Sequence, residues 1–268
     1  MTTVTLPRPS ARPGHSAAGE PRSVLLVCGI YSALLYAAML VFVPAQWEGY
    51  SSASQTISEL SAIGAPTRPL WITLGLFYTG LVIAFGWGVR LSAGRSRPLR
   101  LAGALIVASG AVGLFWPPMH LRGTAPTLTD TLHIVFAVAW NLLAVLTIVL
   151  AAAGLGRRFR AGSMATLALF LVFGTLTGLD GPRIAANLPT PWVGVWERVL
   201  VGTFLLWVVV LAVALLRGSA ERPAGPPARD GSRESARPAR GTGAGPGKPA
   251  AMAEAGGEVT STRAGGDA

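Results

Sequence analysis

The 268-residue chain is 51% hydrophobic and only 13% charged, with a mean hydropathy of +0.51. Soluble domains carry about 25% charged residues, so a soluble globular class is excluded. The formal charge of +10 could suit nucleic acid, but no basic domain with interleaved aromatics accompanies it, and the arginines flank apolar runs instead.

In chain order, residues 1–22 are polar and are expected to be a disordered arm. Six apolar runs follow, each near the ~17–25 residues a helix needs to cross a bilayer. They are Val24–Val43, Pro69–Val89, Leu99–Pro117, Leu132–Ala153, Ser163–Leu179 and Val199–Leu216. The first run is longer than the ~7–15-residue apolar core of a cleaved signal peptide, so it is read as a retained span. Residues 217–268, rich in Gly, Pro and Ala, cannot bury enough surface to offset their ordering entropy and are expected to be a disordered tail. The expected fold is an all-α integral membrane bundle of six helices over residues 23–216, with a short amphipathic outer helix.

Orientation follows from the bases. Eighteen lie in the two termini and in the second-to-third and fourth-to-fifth connections. The opposite side has Arg68, Arg122, Arg183 and Arg198 alone, so both termini are expected in the cytoplasm and the bundle in the plasma membrane. Lys248 is the only lysine among 22 bases, a usage typical of GC-rich, bacterial coding. Cys28, the single cysteine, can form no intramolecular disulfide. Trp47, Trp71, Trp116, Trp192 and Trp196 fall at the outer span ends, as an interfacial aromatic belt would. Gly80, Ala84 and Gly88, and again Gly174 and Gly178, have the four-residue spacing of helix packing faces.

All five acids of the apolar region, Glu48, Glu59, Asp130, Asp180 and Glu197, lie on the outer side. In the connection Gln46–Arg68, Ile57, Leu60 and Ile63 follow helical spacing and Ser52 with Gln55 fits a capping box. This predicts an amphipathic helix on the membrane surface, with Ser58 and Glu59 off its apolar stripe. Asp130 and His133 share a helix face, and Asn141 lies in the same sector about 15 Å deeper, giving span four a polar stripe. Such groups within a span either bond a neighbouring helix or serve a function. His120, Asp130 and His133, with Glu59 or Asp180, are the right residue types for zinc. No H-x-x-x-H or H-E-x-x-H spacing accompanies them, so no cofactor is predicted and zinc stands as the metal this set would suit. A Ser58–His133–Asp180 triad is open to geometry, without a G-x-S-x-G turn. Glu197 with Arg198, and Asp180 with Arg183, are candidates for ion pairs that fix the loops.

Gly49-Tyr50, the block Gln55-Thr56-Ile57-Ser58-Glu59-Leu60, Gly64-Ala65-Pro66, Trp116-Pro117, His133 and Trp196-Glu197-Arg198 together resemble the domain-of-unknown-function 998 family of multi-pass membrane proteins. The similarity covers about residues 24–216. It implies a six-helix membrane bundle and brings no reaction with it. Where the family often has Phe-Pro and a following acid after span three, this chain has Trp116-Pro117-Pro118-Met119-His120. A shared catalytic acid is therefore not carried over.

Three functions fit these residues. The first is binding of a small molecule or lipid headgroup in a polar pocket open to the outer face. Its candidate ligands are Ser58, Glu59, Asp130, His133, Asn141, Asp180 and Arg183. The second is an intramembrane enzyme, such as a metal-assisted lipid hydrolase. The third is an accessory scaffold whose tail recruits partners.

Overall fold

The computed structural model describes residues 19–220. Seven helices occur there: α1 (Gly19–Phe42), α2 (Arg68–Ser92), α3 (Arg97–Leu114), α4 (Leu128–Gly154), α5 (Arg157–Leu179), the short α6 (Gly181–Ala185) and α7 (Val193–Ala220). All except α6 are long and apolar enough to cross a membrane. Among the described residues there is no strand, only an isolated bridge between Ile63 and His120. A bilayer offers no water to unpaired peptide groups, and helices satisfy theirs internally. The bundle is thus the all-α membrane fold expected.

The ends differ in detail from the expectation. Residues 19–22 and 217–220, expected to belong to the disordered arm and tail, continue α1 and α7; the rest of both segments lies outside the described residues. Helix α7 starts six residues before Val199, so Glu197 and Arg198 are within the helix. Helix α4 likewise starts before Leu132, at Leu128, and takes in Asp130. Prolines open α2 and α3, and Ser96 caps α3 by accepting the Leu99 N–H at 3.4 Å.

Each long helix packs on its chain neighbours, and α7 returns to pack on α1, closing a six-helix ring. Six crossings place both ends of the described segment at one face, the basic end, where Arg90, Arg95, Arg97, Arg100, Arg157, Arg158 and Arg160 lie. The connections at the opposite, acidic end carry Glu48, Glu59 and Asp180. Toward the basic end the ring is filled by Leu26, Phe85, Val89, Ile148, Trp207 and Leu211. Trp207 also donates to Ser163 Oγ at 3.0 Å, tying α7 to α5. Val41, Phe77, Ile134 and Leu206 point outward and are each more than half exposed, the arrangement a lipid-facing surface requires.

The glycine rows pack only in part, and another close helix approach lies outside them. A Cβ on Gly103 would meet the Arg90 nitrogen and the Gly86 carbonyl at 2.8 Å, so α2 and α3 touch backbone to backbone there. Gly88 does pack, against Leu25 and Leu26 of α1, whereas Gly80 and Gly178 face open space and Gly174 meets only a Leu200 methyl.

In the first acidic-end connection the helix is where expected, but its cap and its buried residues differ. The short outer helix is present as a single 3-10 turn, Ile57–Ser61. Its capping box is Thr56 with Glu59, one turn later than Ser52 with Gln55. Ile57 and Leu60 are buried, but so is Glu59, which is 1% exposed. The reason is Arg122 from the α3–α4 connection, which covers the turn and pairs with that carboxylate. Met39, Val43 and Leu60, with Trp47, Tyr50 and Trp71 against them, anchor the same loop from below.

Candidate functional site

The acidic end is built around two arginines. Arg122 donates through Nε to Glu59 Oε1 at 2.7 Å and through Nη2 to Oε2 at 3.1 Å, a bidentate pair. Its Nη1 donates to Thr190 Oγ1 at 2.8 Å, and Nη2 also reaches the Ser54 carbonyl at 3.1 Å. Glu59 Oε2 further accepts the Thr56 N–H at 2.6 Å and the Thr56 hydroxyl at 3.1 Å. One carboxylate and one guanidinium therefore join three connections: α1–α2, α3–α4 and α6–α7. With its lone pairs taken, Glu59 is a fastening residue, not the free ligand the sequence suggested.

The second arginine belongs to α7. Arg198 Nη1 donates to the Ser52, Gln55 and Gly194 carbonyls at 2.8, 3.3 and 3.0 Å, and Nη2 donates to the Tyr50 hydroxyl at 2.9 Å. That hydroxyl donates onward to the Thr56 carbonyl at 2.7 Å. Burial pushes the Tyr50 phenol up to about 12, while the neighbouring Arg198 cation pulls the other way. Glu197 does not pair with Arg198; its Oε2 accepts the Ile57 N–H at 2.5 Å. The Gly194 N–H donates to the Ala53 carbonyl at 2.9 Å, completing the seam between loop and helix.

Three predicted residues separate into two clusters. Asp130 accepts the His120 N–H at 2.7 Å, the Thr127 N–H at 2.8 Å and the Thr127 hydroxyl at 2.7 Å, and stands 3.1 Å from His120 Nδ1. This is the N-terminal capping box of α4. Asp130→Ala is expected to cost about 0.5–2 kcal/mol, read as a lower melting temperature. His133 turns elsewhere: Nδ1 lies 2.8 Å from the Pro117 carbonyl and 3.1 Å from Trp116 Nε1, and Nε2 lies 3.1 Å from Ser58 Oγ. Trp116 meets the imidazole edge-to-face at 5.4 Å.

The remaining expectations divide likewise. Asn141 donates to Ala137 of its own helix at 2.8 Å, not to a neighbouring helix. Asp180 and Arg183 are paired at 3.9 Å, and Arg183 donates to the Pro189 carbonyl. Ser58 and His133 thus meet, while Asp180 is engaged by Arg183 and does not complete a triad. Among the described residues no three His, Cys, Asp or Glu side chains converge as a metal site. His120 and Asp130 touch, but His133 is held by Pro117 and Ser58. Arg122 and Thr190 were missed as organising residues. The signal for the turn was present in Thr56-Ile57-Ser58-Glu59, which matches the S/T-x-x-E box better than Ser52 with Gln55 does.

Beneath the fastened loops lies a cavity of about 380 Å³, within the ring. Its deep wall is mainly apolar, with Phe85, Ile106, Leu205 and Val208, and includes the hydroxyls of Ser32 and Thr147, which bond their own helices. Ser58, Ser61, Arg68 and Glu197 line its acidic end, and Asn141 its flank. Ile72, Leu76 and Leu114 line it too, yet are 42%, 56% and 49% exposed. The cavity wall between the start of α2 and the end of α3 is therefore shared with the lipid-facing surface.

No curated protein and no solved structure matches the chain. The family described as proteins of unknown function, DUF998, matches residues 30–214, which take in part or all of each helix of the ring and both loop fastenings. The chain is a multi-pass membrane protein that belongs to the DUF998 family.

Proposed function

We propose that the protein binds an amphiphilic lipid, its chain in the apolar depth of the cavity and its head among Ser58, Ser61, Arg68 and Glu197. The observation that carries this reading is the pairing of an apolar, internal floor with a polar end and a wall of lipid-facing residues. The volume of about 380 Å³ falls among small-molecule sites, which span about 300–1,000 Å³. A water-soluble metabolite would gain little from Phe85, Ile106 and Val208, whereas a hydrocarbon chain is favoured there by about 25 cal/mol per Å² removed from water. The arginine asymmetry supports placing the acidic end outside the plasma membrane, with both termini in the cytoplasm.

Ser109 lines the cavity, and its hydroxyl donates to the Leu105 carbonyl of its own helix. Ser109→Trp should fill the space and weaken binding of a fluorescent phospholipid in detergent micelles at least ~10-fold, corresponding to about 1.4 kcal/mol. Unchanged affinity in a variant with a near-native melting temperature would sink the reading.

A further inference from the structure

We propose that Ser58 is an acyl-accepting nucleophile, activated by His133, that cleaves an ester of the amphiphile held in the cavity. The inference rests on the amphiphile-binding reading and adds a reaction to it. Ser58 Oγ and His133 Nε2 stand 3.1 Å apart although 75 positions separate them in the chain. That is hydrogen-bond reach for a nucleophile and its base. Ser58 lines the cavity, and His133 is 7% exposed behind it. The third member of such a constellation is a group that orients the base. Here it is the Pro117 carbonyl, 2.8 Å from Nδ1. A carbonyl can only accept, so in the tautomer that donates to it from Nδ1 the Nε2 lone pair faces the Ser58 hydroxyl, and this is the tautomer the reaction uses. In the other tautomer Nδ1 accepts the Trp116 N–H at 3.1 Å, and in both the indole ring holds the imidazole edge-to-face.

The chemistry balances without a metal or redox partner. Ser58 Oγ attacks the ester carbonyl carbon while its proton passes to Nε2. The bond to the leaving alcohol breaks, and that alcohol takes the proton from Nε2. Water then attacks the acyl-serine, giving one proton to Nε2, which returns it to Ser58 Oγ as the acid departs. The net change is ester plus water to acid plus alcohol. Arg68 lines the same end of the cavity, with Nη1 on the Ser61 carbonyl at 2.7 Å, and its charge favours the oxyanion formed at each step.

The test uses the full chain in detergent micelles with two fluorophosphonates, one long-chain and one methyl, read by peptide mass spectrometry. A covalent adduct on Ser58 is expected, absent in Ser58→Ala and formed at least ~100-fold more slowly in His133→Gln. No adduct on Ser58 from either reagent overturns the proposal, as does an unchanged rate in His133→Gln. Should His133→Gln fail to fold, Ser58→Ala, which removes one oxygen, still decides through the adduct's position. Fluorescent phospholipid binding separates the two ideas. Binding without an adduct removes the nucleophile and leaves the lipid site. An adduct from the methyl reagent without lipid binding removes the lipid site and leaves Ser58 reactive.

Discussion

Replacing Glu59 by alanine is expected to destabilise the protein by about 3–5 kcal/mol, the scale for breaking a mostly buried ion pair by removing one partner. Glu59 is 1% exposed and Arg122 about a fifth exposed, so the abandoned guanidinium would stay largely out of water. Thr56 would simultaneously lose the acceptor for its N–H and hydroxyl. Arg122→Met should destabilise by a similar amount, because it strands the carboxylate instead. The double variant Glu59→Ala, Arg122→Met should be clearly more stable than the sum of the two single changes implies, since neither charge is then left alone. Tryptophan-fluorescence melting of the four proteins in one detergent measures the cycle. Strict additivity would mean that the pair does not fasten the three connections.

The second large effect is expected at Gly194. A Cβ there would run into the Ser52 and Gln55 carbonyl oxygens, the acceptors Arg198 also uses. Backbone cannot swing aside as a flexible side chain can. Gly194→Ala should therefore cost about 1–3 kcal/mol, and Gly194→Val should sit at or above the upper end of that range. The loop must lift from α7 for either residue to fit, breaking the Gly194 N–H bond to Ala53 as well. Limited proteolysis reads this directly: cleavage between residues 48 and 56 should accelerate in both variants. Equal cleavage and equal melting temperatures would show that the seam tolerates a methyl group.

The spans were legible because each is a long apolar run, and hydropathy reports that without knowledge of neighbours. Their ends were less so. Glu197 and Arg198 read as a boundary because charges within a span are costly. In the fold they sit inside α7 because loop peptide groups, the Ile57 N–H and the Ser52 and Gln55 carbonyls, supply their partners. Glu59 looked exposed because helical spacing places it off the Ile57–Leu60 stripe. Its burial depends on Arg122, 63 positions away, and no local pattern encodes that contact. The Ser58–His133 pairing has the same origin. Asp130 and His133 do lie on one helix, yet the first turns toward the His120 loop and the second toward Pro117. Shared sequence spacing did not make them one site.

The lipid-facing wall at Ile72, Leu76 and Leu114 also bears on how occupancy would be controlled. An amphiphile entering there need not first dissolve in water; it would arrive by lateral diffusion from the surrounding monolayer. Its saturation would then follow mole fraction in the membrane, not bulk molarity, so diluting proteoliposomes at fixed composition should leave the bound fraction unchanged. Every lipid offers a hydrocarbon chain in that plane. Discrimination would fall to the few polar groups at the acidic end, and an abundant lipid would compete with a scarce one on chain alone.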